Sequence, residues 1–229
     1  MRALEVAGAT AFTAALYWAC SRVQRRLRNS LLHPLLLSVV AGGTLFSLLP
    51  PVWLDAYVRG SGPMLWLLGP ATAALALPFY RRRAFLAEHP WTTVLAVVVG
   101  SATTIGVVWA LGALLGLPGP LLRAASLKSV TLPVALGLAE LIRTQPGLTT
   151  VCVFTSGLIG SAVGPPLLTR LGVRSPVARG LVLGTLSHAI GTARALEEDA
   201  LSGAAGVVAL TLAALLIGGG AIVLTLLLR

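Results

Sequence analysis

The sequence predicts an all-α polytopic membrane protein with about 6–8 transmembrane segments. Hydrophobic residues make up 56% of the 229 residues, charged residues make up only 10%, and the mean hydropathy is +0.91. A soluble domain carries about 25% charged residues, so most of this surface faces lipid. The same composition excludes a disordered chain, a collagen-like fibre and a disulfide scaffold. Apolar stretches close to the roughly 20 residues of a spanning helix lie at 4–21, 33–50, 63–79, 91–116, 119–142, 147–168, 176–197 and 203–228.

Short connections between these stretches predict one integral membrane domain over residues 1–229. Residues 1–30 form an N-terminal helix with a basic loop, and residues 33–228 form the core. We expect the first helix to be retained, because it lacks a strongly basic start and a clear cleavage site. Aromatic residues near several predicted helix ends are typical of a membrane interface.

Basic residues are clustered between the apolar stretches, and the net charge is +10. Such clusters mark cytoplasmic loops, and here they are Arg22–Arg28 and Arg81–Arg83. This distribution argues against nucleic-acid binding, which requires a basic face. If every stretch crosses the membrane, Arg170 and Arg174 lie on the opposite side from these clusters. A re-entrant segment at 119–142, which enters the membrane and returns, removes the conflict.

Two stretches place polar residues and helix breakers at membrane depth. In 119–142, Pro133 cannot donate a hydrogen bond to the carbonyl of Ser129, so we expect an interrupted helix. In 176–197, small and polar residues at four-residue spacing predict one continuous helix face, formed by Gly180, Gly184, His188 and Thr192. Paired interrupted helices are the best sequence indication of a transporter's binding site, and they commonly belong to an inverted repeat.

Lys128 is the only lysine in the chain and the basic residue placed deepest in an apolar stretch. A charge at membrane depth is costly, which favours a position beside a cavity or a partner. Together with Ser129 and Thr131, the ammonium of Lys128 can hold a carboxylate. The alternative is that Lys128 lies near a helix end and extends to the lipid headgroups.

His188 is the only histidine in the interior of a predicted membrane stretch, because His33 and His89 precede prolines at the starts of stretches and are expected at the interface. One interpretation is a packing histidine with a hydrogen-bond partner. The other is a substrate ligand or proton carrier, since an unperturbed imidazole titrates at about pH 6.5. The neighbouring Ser187 and Thr192 favour the second interpretation.

The expected substrate-binding residues come from the two interrupted stretches and from a kinked stretch with two prolines. They are Lys128, Ser129, Thr131, Ser187, His188, Gly191, Thr192, Arg194, Gly69, Pro70 and Thr72. For Arg194 the alternative is an ion pair with Glu197 and Glu198 on the next helical turn. We expect helix breaks or close packing at Pro78, Pro133, Gly160, Gly164, Gly180 and Gly184. The sequence has no metal-ligand spacing, nucleotide-binding loop or catalytic triad, so we expect no enzyme activity, no cofactor and no metal ion.

These motifs, in this order, resemble the LrgB/CidB family of bacterial membrane proteins over about residues 33–228. The longest match runs from Arg179-Gly180 through Ser187-His188 to Glu197. The shorter matches are Leu68-Gly69-Pro70-Ala71-Thr72 with Pro78, Lys128-Ser129-Val130-Thr131 with Pro133, and Gly157 to Gly160 with Gly164-Pro165. The sequence departs from the family pattern at His33, Leu127 and Leu132, and the last two changes weaken the expected break around Lys128.

The resemblance implies two functions. One is antiholin-like or holin-like modulation of murein hydrolase export and autolysis, with a small LrgA/CidA-type partner. The other is transport of small carboxylates such as pyruvate, and the resemblance extends to the LrgB-like half of the plant plastid glycolate/glycerate translocator. The residues favour a carrier, because a holin needs no ordered pair of interrupted polar helices. We therefore expect a homo-oligomer, with a dimer the first expectation, in the lipid bilayer of the bacterial inner membrane. It should bind a monocarboxylate or 2-hydroxy acid between Lys128 and His188.

Overall fold

The computed structural model describes residues 2–27, 34–67 and 90–227, with isolated positions between 70 and 84. Within these residues the chain forms nine helices and no strand, which confirms the expected all-α class. They are α1 (Arg2–Leu27), α2 (Pro34–Leu48), α3 (Pro51–Trp66), α4 (Pro90–Leu114), α5 (Gly119–Ser126), α6 (Leu132–Leu141), α7 (Pro146–Arg170), α8 (Pro176–Glu198) and α9 (Ala200–Leu227). The predicted stretch 63–79 is described only in part, at residues 63–67 and at isolated positions from 70 to 77. The chain divides into two compact units, Met1–Ala74 and Leu75–Arg229.

Proline is the first residue of five helices. These are Pro34, Pro51, Pro90, Pro146 and Pro176. The first turn tolerates proline because its missing N–H has no partner inside the helix, and because its φ angle is already helical. The helix starts therefore follow directly from the sequence.

Among the described residues, four helices are long and apolar enough to cross a membrane. They are Ala3–Leu27 within α1, Pro90–Leu114, Pro146–Arg170 and Ala200–Gly220 within α9. Large apolar side chains such as Leu95 and Leu114 of α4 are exposed on their outer surfaces, as expected of residues that face lipid. The chain is therefore a helical membrane protein.

The first unit packs α1 against α2 and α3. The rings of Phe12, Phe46 and Tyr57 contact one another with centroids 5.0–5.7 Å apart. Near one end of α1, the carboxylate of Glu5 pairs with the guanidinium of Arg59 at 3.2 Å. Aromatic contacts of this kind give the unit its own core.

In the second unit, α5 and α6 form a helical hairpin joined by residues 127–131, which we call the first tip. The outer ends of the two helices meet, since Thr144 Oγ1 donates a hydrogen bond to the carbonyl of Pro120 at 2.8 Å. The interruption predicted within 119–142 is therefore present. Pro133 lies in the first turn of α6, where its missing N–H leaves no carbonyl unpaired, so the break precedes it.

α8 forms a second helical hairpin. Its backbone leaves the helical region at Ser187 (φ −126°, ψ 16°) and His188 (φ 43°, ψ −133°), which we call the second tip. Arg179 and Glu198, near the two ends of α8, form an ion pair at 2.8 Å. The chain therefore reverses direction at the second tip, and its two arms lie side by side.

This reversal changes which residues share a surface. Gly180 and Gly184 on one arm pack against α9, and Thr192 on the other arm also contacts α9. His188 instead places its ring next to Gly157 of α7. The prediction of one continuous face that includes His188 is wrong, because that residue forms the turn between the arms.

α7 lies beside both hairpins. In its first half, Cys152 is close enough to Lys128 of the first tip for an electrostatic interaction. In its second half, Gly164 packs against Leu183 of the second hairpin. The two hairpins therefore approach α7 from its opposite ends, and their tips meet near its middle.

A long helix followed by a hairpin occurs twice in the second unit. The long helices α4 and α7 both contain 25 residues. The two copies are offset by 56 or 57 residues along the chain. The long helices begin at Pro90 and Pro146, the hairpins begin at Gly119 and Pro176, and the hairpins end at Leu141 and Glu198. α4 ends and α7 begins at the same end of the first hairpin, so the two long helices run in opposite directions.

Candidate functional site

The two tips contact each other beside α7. The carbonyl of Leu186, just before the second tip, accepts hydrogen bonds from Ser129 Oγ at 3.4 Å and from Ser156 Oγ at 3.1 Å. Ser129 belongs to the first tip and is fully buried, and Ser156 belongs to α7. The first tip, α7 and the second hairpin therefore meet at the carbonyl oxygen of Leu186.

Lys128 lies in the first tip and is half-buried. Its ammonium donates a hydrogen bond to Ser129 Oγ at 3.3 Å. Among the described residues, no carboxylate lies within ion-pair distance of this ammonium. A partly buried cation without an anion is costly, so the tips present a positive charge that an anion would stabilise. These contacts favour the interpretation of Lys128 as an anion ligand.

His188 is buried at the second tip, with 3% of its surface exposed. Its Nε2 atom lies 3.0 Å from the carbonyl of Val153 in α7, and its own carbonyl accepts a hydrogen bond from Thr192 Oγ1 at 2.8 Å. Because a carbonyl can only accept, Nε2 carries the hydrogen of this contact. Nε2 therefore has the hydrogen-bond partner that a packing histidine requires. Nδ1 has no hydrogen-bond partner among the described residues.

Hydroxyl groups and helix ends complete the polar surroundings of the tips. Thr131, Thr185 and Ser187 are buried, and their hydroxyls form no hydrogen bond with the residues that the structure describes. Thr131 precedes the first turn of α6 without capping it. α6 begins at the first tip, and the second arm of α8 begins at the second tip. Helix N-termini carry partial positive charge, so both tips have a positive potential. This arrangement suits a small anion with several hydrogen-bond acceptors.

Several predicted site residues have other surroundings. Gly191 packs inside the second hairpin against the carbonyl of Leu183. Arg194 pairs with Glu197 at 3.1 Å and with Glu198 at 3.9 Å, as in the alternative interpretation. Pro70 belongs to the first unit and is exposed. Gly69, Thr72 and Pro78 lie outside the described residues.

Small residues bring the second hairpin close to its neighbours. A Cβ atom on Gly160 would collide with Ser187 Oγ, and one on Gly164 would crowd a leucine of the same hairpin. Gly180 and Gly184 lie equally close to the backbone of α9. These glycines therefore determine where the second tip lies.

Sequence reasoning missed part of the site. Ser156, which is not among the expected substrate-binding residues, donates a hydrogen bond to the carbonyl of Leu186 beside the second tip. Its position one turn before Gly160, on the helix face that contacts the second tip, is the sequence feature that could have indicated this role. The carbonyl of Val153 and the thiol of Cys152 carried no signal, because backbone groups and lone cysteines have no sequence pattern.

Two broken helical hairpins whose polar tips meet among apolar helices define a helical membrane protein with an internal polar site. The chain matches the LrgB-like family over residues 13–227 and belongs to it, which confirms the resemblance found in the sequence. It is 32% identical over 205 residues to the uncharacterized protein YwbG of Bacillus subtilis (strain 168), covering 89% of this chain and 90% of that relative. The identity to YxaC of the same organism is 33% over 209 residues, with 89% and 88% covered.

A third relative is the antiholin-like protein LrgB of Bacillus mycoides (strain KBAB4). It is 30% identical over 181 residues, which cover 79% of this chain and 78% of that relative. No solved structure matches the chain.

Proposed function

We propose that this protein carries small monocarboxylates or 2-hydroxy acids, such as pyruvate, lactate and glycolate, across the bacterial inner membrane. The observation that supports the proposal is Lys128, a half-buried ammonium at the contact of two hairpin tips, with no carboxylate partner in the described part of the chain. A substrate carboxylate supplies the missing negative charge. His188 and the hydroxyls of Ser129, Thr131 and Ser187 bind its remaining polar atoms.

In this proposal both hairpins are re-entrant, so they enter the membrane and return without crossing it. The 6–8 predicted segments then include two that do not span. This topology places Arg170 and Arg174 on the cytoplasmic side with the clusters Arg22–Arg28 and Arg81–Arg83, in agreement with the positive-inside rule. The first hairpin enters from the outside and the second from the cytoplasm.

The opposite directions of α4 and α7 make the two helix–hairpin copies an inverted repeat. Inverted repeats with discontinuous helices hold the substrate near the middle of the membrane in many secondary transporters. Their half-helix N-termini point at anionic substrate groups, as the starts of α6 and of the second arm of α8 do here. Movement of one copy against the other would expose the tips to each side in turn.

Uptake of labelled pyruvate, lactate and glycolate into proteoliposomes tests the proposal directly. We expect saturable uptake. We expect Lys128→Ala to lower the uptake of all three acids, and His188→Ala to lower the uptake of lactate and glycolate, by about tenfold or more. Arg170→Ala is the matched control, because Arg170 is an exposed cation at the end of α7. If both site variants take up these acids as well as the parent does, the assigned site is wrong.

The comparisons favour a second function more than they favour a carrier. The relative from Bacillus mycoides is named antiholin-like, and none of the three relatives is named as a carrier. In this alternative the chain modulates murein hydrolase export and autolysis together with a small LrgA/CidA-type membrane partner. It predicts leakage of ions or dye without substrate saturation, whereas a carrier shows competition between solutes at a finite affinity. Either function is compatible with a homodimer or another homo-oligomer.

A further inference from the structure

His188 is held in one orientation by α7. Its Nε2 atom lies 3.0 Å from the carbonyl of Val153, and its ring lies against Gly157. The backbone carbonyl has no hydrogen to donate, so the hydrogen must reside on Nε2. In an uncharged ring, Nδ1 is then a hydrogen-bond acceptor and nothing else.

The backbone at this residue shows that the side chain is retained at a cost. With φ 43° and ψ −133°, His188 adopts a conformation that glycine populates readily and other residues rarely adopt. Strain of this kind persists where the surrounding structure requires the side chain, and it is concentrated at functional sites. A glycine would form the same turn, so substitution by glycine removes the imidazole while keeping the backbone of the tip.

The positive charge at the tips belongs to Lys128 and not to His188. The Lys128 ammonium donates to Ser129 Oγ, which in turn donates to the carbonyl of Leu186, two residues before His188. This ammonium has no anion within ion-pair distance among the described residues. In the proposed carrier the substrate carboxylate binds to this ammonium, and a second cation beside it, at His188, would be unfavourable in a buried setting. His188 Nδ1 has no hydrogen-bond partner among the described residues. It does not belong to the fully buried polar atoms that lack a partner. It remains available to a donor.

We propose that His188 determines substrate specificity by accepting a hydrogen bond, through Nδ1, from a hydroxyl on the carbon next to the substrate carboxylate. This inference rests on the proposed carrier function and narrows its substrate class. A 2-hydroxy acid offers an O–H at that position. A 2-oxo acid offers only a second acceptor, which repels the lone pair of Nδ1 and leaves it unpaired.

The test compares L-lactate with pyruvate, two acids of the same length that differ at this carbon. Initial uptake rates are measured in proteoliposomes of the parent and of His188→Gly, and the lactate-to-pyruvate ratio is taken within each preparation. The ratio does not depend on the amount of folded protein. The glycine variant suits this comparison because glycine fits the backbone of the tip while removing the imidazole.

We expect the parent to favour lactate by about tenfold or more, since an unpaired buried polar group has a cost of this size. We expect His188→Gly to bring the ratio close to one, mainly through a loss of lactate uptake. A parent that takes up both acids equally overturns the specificity role and leaves the carrier proposal standing. A glycine variant that keeps the preference, or that loses both uptakes equally, also overturns it. Absence of saturable uptake of either acid by the parent overturns the carrier function as well.

Discussion

Arg179 and Glu198 form a two-pronged ion pair that closes the base of the second hairpin. Arg179 Nε lies 2.8 Å from Glu198 Oε2, and Nη2 lies 3.0 Å from Oε1. The same guanidinium donates to Thr169 Oγ1 at 3.2 Å and to the carbonyl of Val173 at 3.1 Å. One residue therefore joins both arms of the hairpin to the end of α7.

Breaking this pair should destabilise the protein strongly. The side chains of Arg179 and Glu198 are only 14% and 18% exposed, so Arg179→Leu leaves a largely buried carboxylate with only its longer, 3.9 Å contact to Arg194. We expect the free energy of unfolding to fall by about 3 kcal/mol or more. Denaturation in detergent by increasing sodium dodecyl sulfate measures this change.

The matched control is the ion pair of the first unit. Arg59 is 57% exposed where it pairs with Glu5, so Arg59→Leu should cost about 1 kcal/mol or less. Equal losses for the two arginine variants would contradict the role assigned to the hairpin base.

Gly160→Ala should destabilise the tip contact. Its Cβ would collide with Ser187 Oγ, and overpacking of this kind costs about 1–3 kcal/mol. Gly147→Ala, in the same helix, has open space around its Cβ and should be neutral or stabilising by about 0.5–1 kcal/mol. Thermal unfolding of both variants in detergent distinguishes a local clash from a general effect of alanine in α7.

Substrate should protect Lys128 from amine-reactive reagents. Because Lys128 is the only lysine, labelling of side-chain amines reports on it alone. At a carboxylate concentration of ten times Kd, about one site in eleven is free, so labelling should slow by about tenfold. A lysine introduced by Arg170→Lys, exposed at the end of α7, should react at the same rate with or without the acid. Mass spectrometry of the two peptides measures both rates, and unchanged labelling of Lys128 would argue against carboxylate binding there.

Accessibility of single cysteines tests whether the hairpins cross the membrane. In a background without Cys20 and Cys152, Leu117→Cys and Gln145→Cys flank the first hairpin and should react from the same, outer side. Arg174→Cys, between α7 and the second hairpin, should react from the cytoplasmic side. Opposite sidedness of positions 117 and 145 would mean that 119–142 spans the membrane.

The first tip could be predicted from the sequence because its signals are local. Lys128, Ser129 and Pro133 lie within six residues of one another, in a stretch that is otherwise apolar. Proline at the start of the following helix marks the break within a few residues. The helix starts at Pro90, Pro146 and Pro176 were predictable for the same reason.

The polar residues of 176–197 predict an interrupted helix, but the reversal of the chain at Ser187 and His188 could not be predicted. No glycine or proline stands at Ser187 or His188, and the four-residue spacing on both sides continues as if the helix were unbroken. The turn depends on distant partners, namely the carbonyl of Val153 and the space above Gly160. Single-sequence patterns describe neighbours along the chain, so they cannot show a turn that tertiary contacts impose.

The close packing of the second hairpin on α9 has a consequence for how the chain assembles. Gly180 and Gly184 meet the backbone of a helix that begins one residue after the hairpin ends. The bond from Ser129 to Leu186, in contrast, joins residues 57 positions apart. Contacts between neighbouring segments form faster than distant ones. We therefore expect the C-terminal hairpin and helix to pair before the polar site is completed, which happens when they dock against the first tip.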